Sequence, residues 1–157
     1  DPLGPGQIRD SNSWLLVAQV RASGAGAFRC DKLRDDPEAL RRGFALAAAE
    51  GDLVLTSGGV SVGDRDYTKQ VLATLGDVRS FRVAMQPGMP QAFGVAAGTP
   101  LYGLPGNPVS CFVVFETLVR PALRRLAGHA DDRLDRPRVV GPFVDPLEQV
   151  VWSSPCP

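Results

Sequence analysis

The sequence is poor in the residues that bind transition metals or form disulfides. It has one histidine, His129, and three cysteines, Cys30, Cys111 and Cys156, and no two cysteines have CxxC spacing. A zinc site needs about four Cys or His ligands, so zinc binding is disfavoured. An odd number of widely spaced cysteines predicts free thiols in a reducing compartment, and therefore a cytoplasmic protein.

The sequence also lacks an excess of charge and a long apolar run. Its 17 Lys and Arg residues balance 17 Asp and Glu residues, which argues against a surface built for nucleic acid. No run approaches the roughly 18 apolar residues that cross a membrane, and no targeting signal opens the chain. The length of 157 residues fits one globular domain with a core. Because the chain begins at Asp1 rather than Met, we expect the start of the native domain to be missing.

Glycine, proline and apolar spacing divide the chain into alternating helices and strands. After a Gly- and Pro-rich approach over residues 1–9, Asp10, Ser11 or Asn12 is expected to cap a helix that ends at residues 23–26. The same signals predict helices over residues 37–50 and 67–75, and strands over residues 27–30, 53–55, 78–85, 91–95 and 100–103. This alternation predicts an α/β fold with a mostly parallel sheet covered on both faces.

The last predicted helix contains a proline. It begins at Pro108 behind an Asn107 cap, and Pro121 is expected to kink it and to free the carbonyl of Thr117. After it, residues 139–144 resemble the first strand of another domain. We therefore divide the chain into an α/β domain over residues 1–128, and a linker with the start of an incomplete β domain over residues 129–157.

Two strand-to-helix loops have the composition of ligand-binding loops, and ligands of open α/β sheets bind where such loops meet. Residues 57–63, Ser-Gly-Gly-Val-Ser-Val-Gly, allow backbone N–H groups to approach a ligand closely. The plainer alternative is a flexible connection. Residues 104–110, Leu-Pro-Gly-Asn-Pro-Val-Ser, deliver a helix N-terminus, which favours an anion, and Ser110 adds a hydroxyl. The alternative is that Asn107 and Pro108 only cap the helix.

Three acidic residues are expected to lie near these loops: Asp35, Asp64 and Asp66. Carboxylates beside phosphates suit Mg²⁺, which prefers oxygen ligands. Asp35 and Asp66 each have a plainer role as a helix cap. Lys69 and Arg82 are candidate phosphate partners, although single basic residues on a surface are usually only solvated.

Four segments together resemble the MoeA and gephyrin family of molybdopterin molybdenumtransferases. They are residues 6–12 (GQIRDSN), 34–40 (RDDPEAL), 56–67 (TSGGVSVGDRDY) and 103–110 (GLPGNPVS). Each segment is weak alone, but their order and spacing run from about Leu3 to Gly128, which is most of the chain.

The resemblance implies an enzyme that takes adenylylated molybdopterin, inserts molybdate at its dithiolene and releases AMP with the help of Mg²⁺. It implies a three-layer α/β/α sandwich with a mostly parallel sheet, and a homodimer for the full-length protein. Asp35 and Asp66 fall where the family has functionally important acids, so a role in binding Mg²⁺ or orienting the adenylyl-phosphate bond is implied for them. The residues implied to hold the pterin and its phosphates are Ser57, Gly58, Gly59, Ser61, Gly63, Pro105, Gly106, Asn107 and Ser110. Those implied to face molybdate are Arg82, Gln86, Pro90 and Ser110.

Residues 86–90 depart from the family pattern. Many relatives have Lys-Pro-Gly-Lys-Pro where this chain has Gln-Pro-Gly-Met-Pro. The positive charges of the two lysines would bind an oxyanion, and this chain lacks both. The family's Ser/Thr-Gly-Asp-Glu strand, its two N-terminal domains and most of its C-terminal β domain are also not in this sequence. Two alternatives stay open: the preceding adenylyltransferase step on the same fold, and a non-catalytic molybdopterin-binding or scaffold module.

Overall fold

A computed structural model describes residues 3–4, 8–30, 33, 36–59 and 67–130. The helices are α1 (Asn12–Ala22), α2 (Pro37–Glu50), α3 (Tyr67–Leu75), α4 (Pro108–Val114) and α5 (Arg120–Leu126), with a π-helical turn over Phe115–Val119 between the last two. The strands are β1 (Val54–Ser57), β2 (Gly76–Arg82), β3 (Pro90–Ala96) and β4 (Thr99–Leu104). The predicted α/β fold is confirmed.

The four strands form one mixed sheet in the order β1-β4-β3-β2. Only β1 and β4 are parallel, whereas β4–β3 and β3–β2 are antiparallel. The prediction of a mostly parallel sheet is therefore wrong for the described residues. The reason is short connections: Ala97 and Gly98, with φ of 49° and 86°, form a two-residue hairpin, and residues 83–89 are too few for a parallel crossover.

Helices pack against both faces of the sheet. Val54 of β1 packs in a core with α2 and α3 side chains, which include Phe44 and Leu72. The next residue, Leu55, packs against a second core, to which α1 contributes Leu16 and the α4 region contributes Phe115. Because successive strand residues point to opposite faces, the two cores lie on opposite sides of the sheet.

The predicted strand over residues 27–30 is wrong, because the described chain forms no strand there. Side chains hold this segment instead. The Arg29 guanidinium lies 4.8 Å from the ring centre of Trp14 on α1, and 3.9 Å from the Asp10 carboxylate. A strand needs a hydrogen-bonding neighbour, and the β1 edge is paired only with β4 among the described residues.

The helix starts follow the predicted capping signals, with one reassignment. Asp36 caps α2, since its Oδ2 accepts from the Ala39 N–H at 2.8 Å, and Pro37 occupies the first turn. The capping role considered for Asp35 thus belongs to Asp36. At α1, Asp10 Oδ1 accepts from the Ser13 N–H at 3.1 Å.

The predicted interruption by Pro121 takes the form of a widened turn rather than a simple kink. The chain passes from α4 into the π-helical turn and then into α5, where Pro121 lies in the first turn. A π-helical turn accommodates a residue that cannot donate to the regular ladder. Separately, no helix in the described ranges is long and apolar enough to cross a membrane.

Candidate functional site

The two predicted loops leave the same edge of the sheet side by side. The last residues of the parallel strands, Ser57 of β1 and Leu104 of β4, are register partners. Just beyond them, the Gly58 N–H donates to the Leu104 carbonyl at 3.0 Å. A Cβ built on Gly106 would lie 3.5 Å from the Gly58 Cα, so the two loops are in contact.

A third segment, the start of α1, ties these loops together. The Asn12 Nδ2 donates to the Ser57 hydroxyl at 2.7 Å and to the Gly106 carbonyl at 2.8 Å. The Ser57 hydroxyl in turn donates to the Pro105 carbonyl at 3.2 Å. The Asn12 Oδ1 is buried and has no hydrogen-bond partner within the described part of the chain. One amide therefore bridges two loops that are distant in sequence.

The first loop depends on glycine at two consecutive positions. Gly58 and Gly59 have φ of 86° and 69°, a left-handed region that residues with a Cβ rarely adopt. At Gly59 a Cβ would also lie 2.4 Å from the Thr68 Oγ1. A side chain at either position would therefore strain the loop, and at Gly59 it would also meet Thr68.

Asn107 caps the helix that follows the second loop. Its Oδ1 accepts from the Val109 and Ser110 N–H groups at 3.0 and 3.1 Å, and the Ser110 hydroxyl lies 3.4 Å away. The capping role offered as the plainer alternative is thus present, and it uses two of the N–H groups at this helix end.

Replacing Asn107 by Ala is expected to lower the free energy of unfolding by about 1 kcal/mol, as for other lost N-caps. Asn107→Asp keeps a side-chain oxygen acceptor and is expected to retain most of that stability. Urea denaturation of the two variants measures the difference. Equal losses in both would show that the cap contributes little.

The turn over residues 83–89 lies at the same sheet edge, because Ala92 pairs with Gly103 and β3 begins level with the end of β4. Arg82 is exposed and directs its Nη2 to the Met89 sulfur at 3.2 Å. Gln86 is exposed, and a cis peptide bond joins it to Pro87. Among the described residues, no hydrogen bond or ion pair joins Arg82, Gln86 or Pro90 to Ser110, so these four residues lie along one edge without forming a cluster.

The predicted acidic residues, Asp35 and Asp66, lie outside the described residues, as do Ser61 and Gly63. The same is true of Asp64 and of the Lys69 side chain. Within the described ranges, no group of three or more His, Cys, Asp or Glu residues could hold a metal ion.

A buried thiol lies beneath the first loop. Cys111 on α4 is fully buried, and burial raises the pKa of its thiol above the usual range, while a hydrogen bond with Ser57 partly opposes that rise. Cys30 is exposed. The two thiols therefore differ in access to solvent.

We expect iodoacetamide at pH 8 to modify Cys30 readily and Cys111 roughly tenfold or more slowly, because only the accessible thiolate reacts. Mass spectrometry of a Cys156→Ser protein would follow the two sites in one sample. Unfolding in urea should remove the difference. Similar rates in the folded protein would contradict the burial of Cys111.

Sequence reasoning missed the bridging role of Asn12. From the sequence, Asn12 is only a possible cap and part of a matching segment, and Asp10 is the residue that caps α1. The partners of Asn12 lie 45 and 94 residues away, so no local spacing signals the contact.

Comparison with known proteins identifies the family. Residues 1–125 match the family described as "Probable molybdopterin binding domain". The chain is 45% identical to "Molybdopterin molybdenumtransferase 2" of Mycobacterium tuberculosis over 136 residues, covering 83% of this chain and 34% of that protein. It is 44% identical to "Molybdopterin molybdenumtransferase" of Nostoc over 133 residues, covering 82% of this chain and 30% of that protein. The chain thus spans about a third of the length of these curated relatives.

Solved structures agree with this result. The crystal structure of a "molybdopterin biosynthesis moea protein" from Pyrococcus horikosii matches with a TM-score of 0.73 and 38% identity, covering 83% of this chain and 32% of that one. "Molybdenum cofactor biosynthesis protein B" matches with a TM-score of 0.62 at 19% identity, covering 80% of this chain and 89% of that one, which shows a shared fold. The chain belongs to the molybdopterin-binding domain family.

Proposed function

We propose that this chain is the molybdopterin-binding part of a molybdopterin molybdenumtransferase, which inserts molybdate into adenylylated molybdopterin and releases AMP. Relatives that carry this name at 45% and 44% identity support the proposal. The observation that carries it is the contact between the loop at Gly58 and the loop at Gly106, since one ligand can then touch both.

The chemistry of the two loops suits a phosphorylated, planar ligand. The glycines at positions 58 and 59 remove side chains from the backbone, so that the pterin or its phosphates can approach main-chain groups. The second loop adds the start of α4, where the helix dipole favours negative charge. When bound, molybdopterin supplies the sulfur ligands for molybdenum, and the task of the chain is to position the ligand.

For the molybdate oxyanion we propose the sheet edge that carries the exposed Arg82 and Gln86 together with Pro90 and the buried Ser110. A guanidinium offers a permanent charge and several donors, and the Gln86 amide offers two more. Arg82 would thus supply the positive charge that Gln86 and Met89 do not.

Mg²⁺ and the roles of Asp35 and Asp66 rest on the family resemblance alone. The described residues contain no group of three His, Cys, Asp or Glu side chains that could hold the ion. We also propose a three-layer α/β/α sandwich for the complete native domain, which the helices on both sheet faces support. A homodimer is proposed for the full-length protein on the resemblance, and a cytoplasmic location on the pattern of its cysteines.

The proposed function is tested in two steps. Calorimetric titration of the 157-residue chain with adenylylated molybdopterin is expected to show saturable binding. The full-length protein is then incubated with adenylylated molybdopterin, Mg²⁺ and molybdate, and AMP is measured by chromatography. Molybdate-dependent AMP release supports the transferase, and EDTA is expected to suppress it.

Two results would overturn the proposal in different directions. Formation of adenylylated molybdopterin from molybdopterin and ATP would assign the preceding adenylyltransferase step instead. Tight pterin binding by the full-length protein without AMP release at any molybdate concentration would indicate a binding or scaffold module.

A further inference from the structure

We infer that Asn12 is a positioning residue, which holds the two ligand-binding loops at the separation that a shared ligand requires. This inference rests on the proposed function, because the loops matter only if one molecule contacts both. It extends that function to a residue on a third element, α1.

Asn12 is the first residue of a helix that is fixed to the domain core. The helix α1 buries Leu16 and Val20 in the core that also holds Leu104 and Cys111. Farther along α1, Gln19 donates to the Glu116 carboxylate at 3.0 Å. The Asn12 amide is therefore carried on a rigid element rather than on a loop of its own.

The two hydrogen bonds of Asn12 act on both loops at once. One bond, to the Ser57 hydroxyl, reaches the end of β1, and the other, to the Gly106 carbonyl, reaches the loop after β4. Ser57 accepts from Asn12 and donates its own proton to the Pro105 carbonyl. Ser57 therefore acts with Asn12 in joining the loops.

The Nδ2 group of Asn12 is the part of the amide that joins the loops. Its two N–H groups form a forked donor, which reaches two acceptors on separate loops. The Asn12 Oδ1 is buried without a hydrogen-bond partner within the described ranges, and so is the Gln19 Oε1. What distinguishes Asn12 from Gln19 is therefore the pair of loops that it joins, because the bonds of Gln19 go to Phe112 and Glu116.

The test compares Asn12→Ala with Gln19→Ala, a matched control from the same helix. Gln19 also uses its side-chain amide to join α1 to another element, but its bonds go to Phe112 and Glu116, away from the loops. Both variants are expected to lower the melting temperature. Calorimetry with adenylylated molybdopterin is expected to give about tenfold weaker binding for Asn12→Ala, because its loops are misplaced. The affinity of Gln19→Ala is expected to stay within about twofold of the parent affinity, because Gln19 shares no hydrogen-bond partner with the two loops.

A double-substitution cycle tests whether Asn12 acts through Ser57. If it does, Asn12→Ala combined with Ser57→Ala should weaken binding little more than either change alone, because neighbours in one network are non-additive. Additive losses would overturn the bridge. Equal losses of affinity in Asn12→Ala and Gln19→Ala would assign Asn12 to stability alone.

Amide hydrogen exchange separates this inference from the proposed function. Peptides that contain Gly58 and Gly106 are expected to exchange faster in Asn12→Ala than in Gln19→Ala, with no ligand present. If the parent chain does not bind adenylylated molybdopterin, the proposed function fails, and the exchange result still reports on the bridge. Unchanged exchange at both loops in Asn12→Ala would overturn the positioning role, whatever the ligand.

Discussion

Replacing Phe115 by Ala is expected to lower the free energy of unfolding by about 3–5 kcal/mol, as for other large-to-small changes in a protein core. Phe115 is fully buried in the core between the sheet and α1, and it begins the π-helical turn. The Arg120 guanidinium lies 5.7 Å from its ring centre and would lose that contact as well. Urea denaturation followed by far-ultraviolet circular dichroism measures the loss.

Leu118→Ala is the control for this prediction. Leu118 lies in the same π-helical turn but is 37% exposed, so it contributes less buried area. We expect it to lose about 1 kcal/mol or slightly more, in proportion to the area it removes from water. If both variants lost the same stability, the turn itself rather than the buried ring would be the important feature.

Replacing Gly59 by Ala is expected to weaken binding of adenylylated molybdopterin by roughly 100-fold, the size of loss that follows a displacement of about 1 Å at a positioned site. Its φ of 69° is unfavourable for alanine, and the added Cβ would meet the Thr68 side chain at 2.4 Å. The loop must move to relieve both effects, and its contact with the second loop changes with it. Calorimetric titration gives the dissociation constant.

Gly24→Ala controls for backbone strain. Gly24 has φ of 82°, and a Cβ there would meet nothing within 4 Å. It follows α1 at the end remote from Asn12, so a similar strain is introduced away from the loops. We expect a comparable loss of stability, of the order of 1 kcal/mol, with the affinity unchanged. Weaker binding in Gly24→Ala would mean that general destabilisation explains the Gly59 result.

Local signals predicted the helix boundaries well. Asp36 with Pro37, and Asn107 with Pro108, are caps whose partners lie within three residues, so a short stretch of sequence contains the whole arrangement. Strand direction was predicted less well. The hairpin at Ala97 and Gly98 lacks the Asn-Gly or Asp-Gly signal, and an alanine with positive φ is not expected from its residue type.

The meeting of the two loops was predictable, whereas the residue that bridges them was not. Both loops follow strands that apolar runs in the sequence predict. Because parallel neighbouring strands end at one sheet edge, the loops after them were expected to meet there. Asn12 is brought there by the packing of α1 against α4, which is a tertiary contact. The residues proposed for the oxyanion illustrate the same limit, since Arg82 and Ser110 lie on different elements and no pattern fixes their separation.

The parallel pairing of β1 with β4 also sets how a ligand can lie. Adjacent strands are about 4.8 Å apart, so the loops that follow them start side by side at one edge of the sheet. The helices that come next pack in cores on opposite faces of the sheet, α3 on one and α4 on the other. A molecule that contacts both strand ends would then lie at this edge, and reactants would reach it without passing through the interior of the domain.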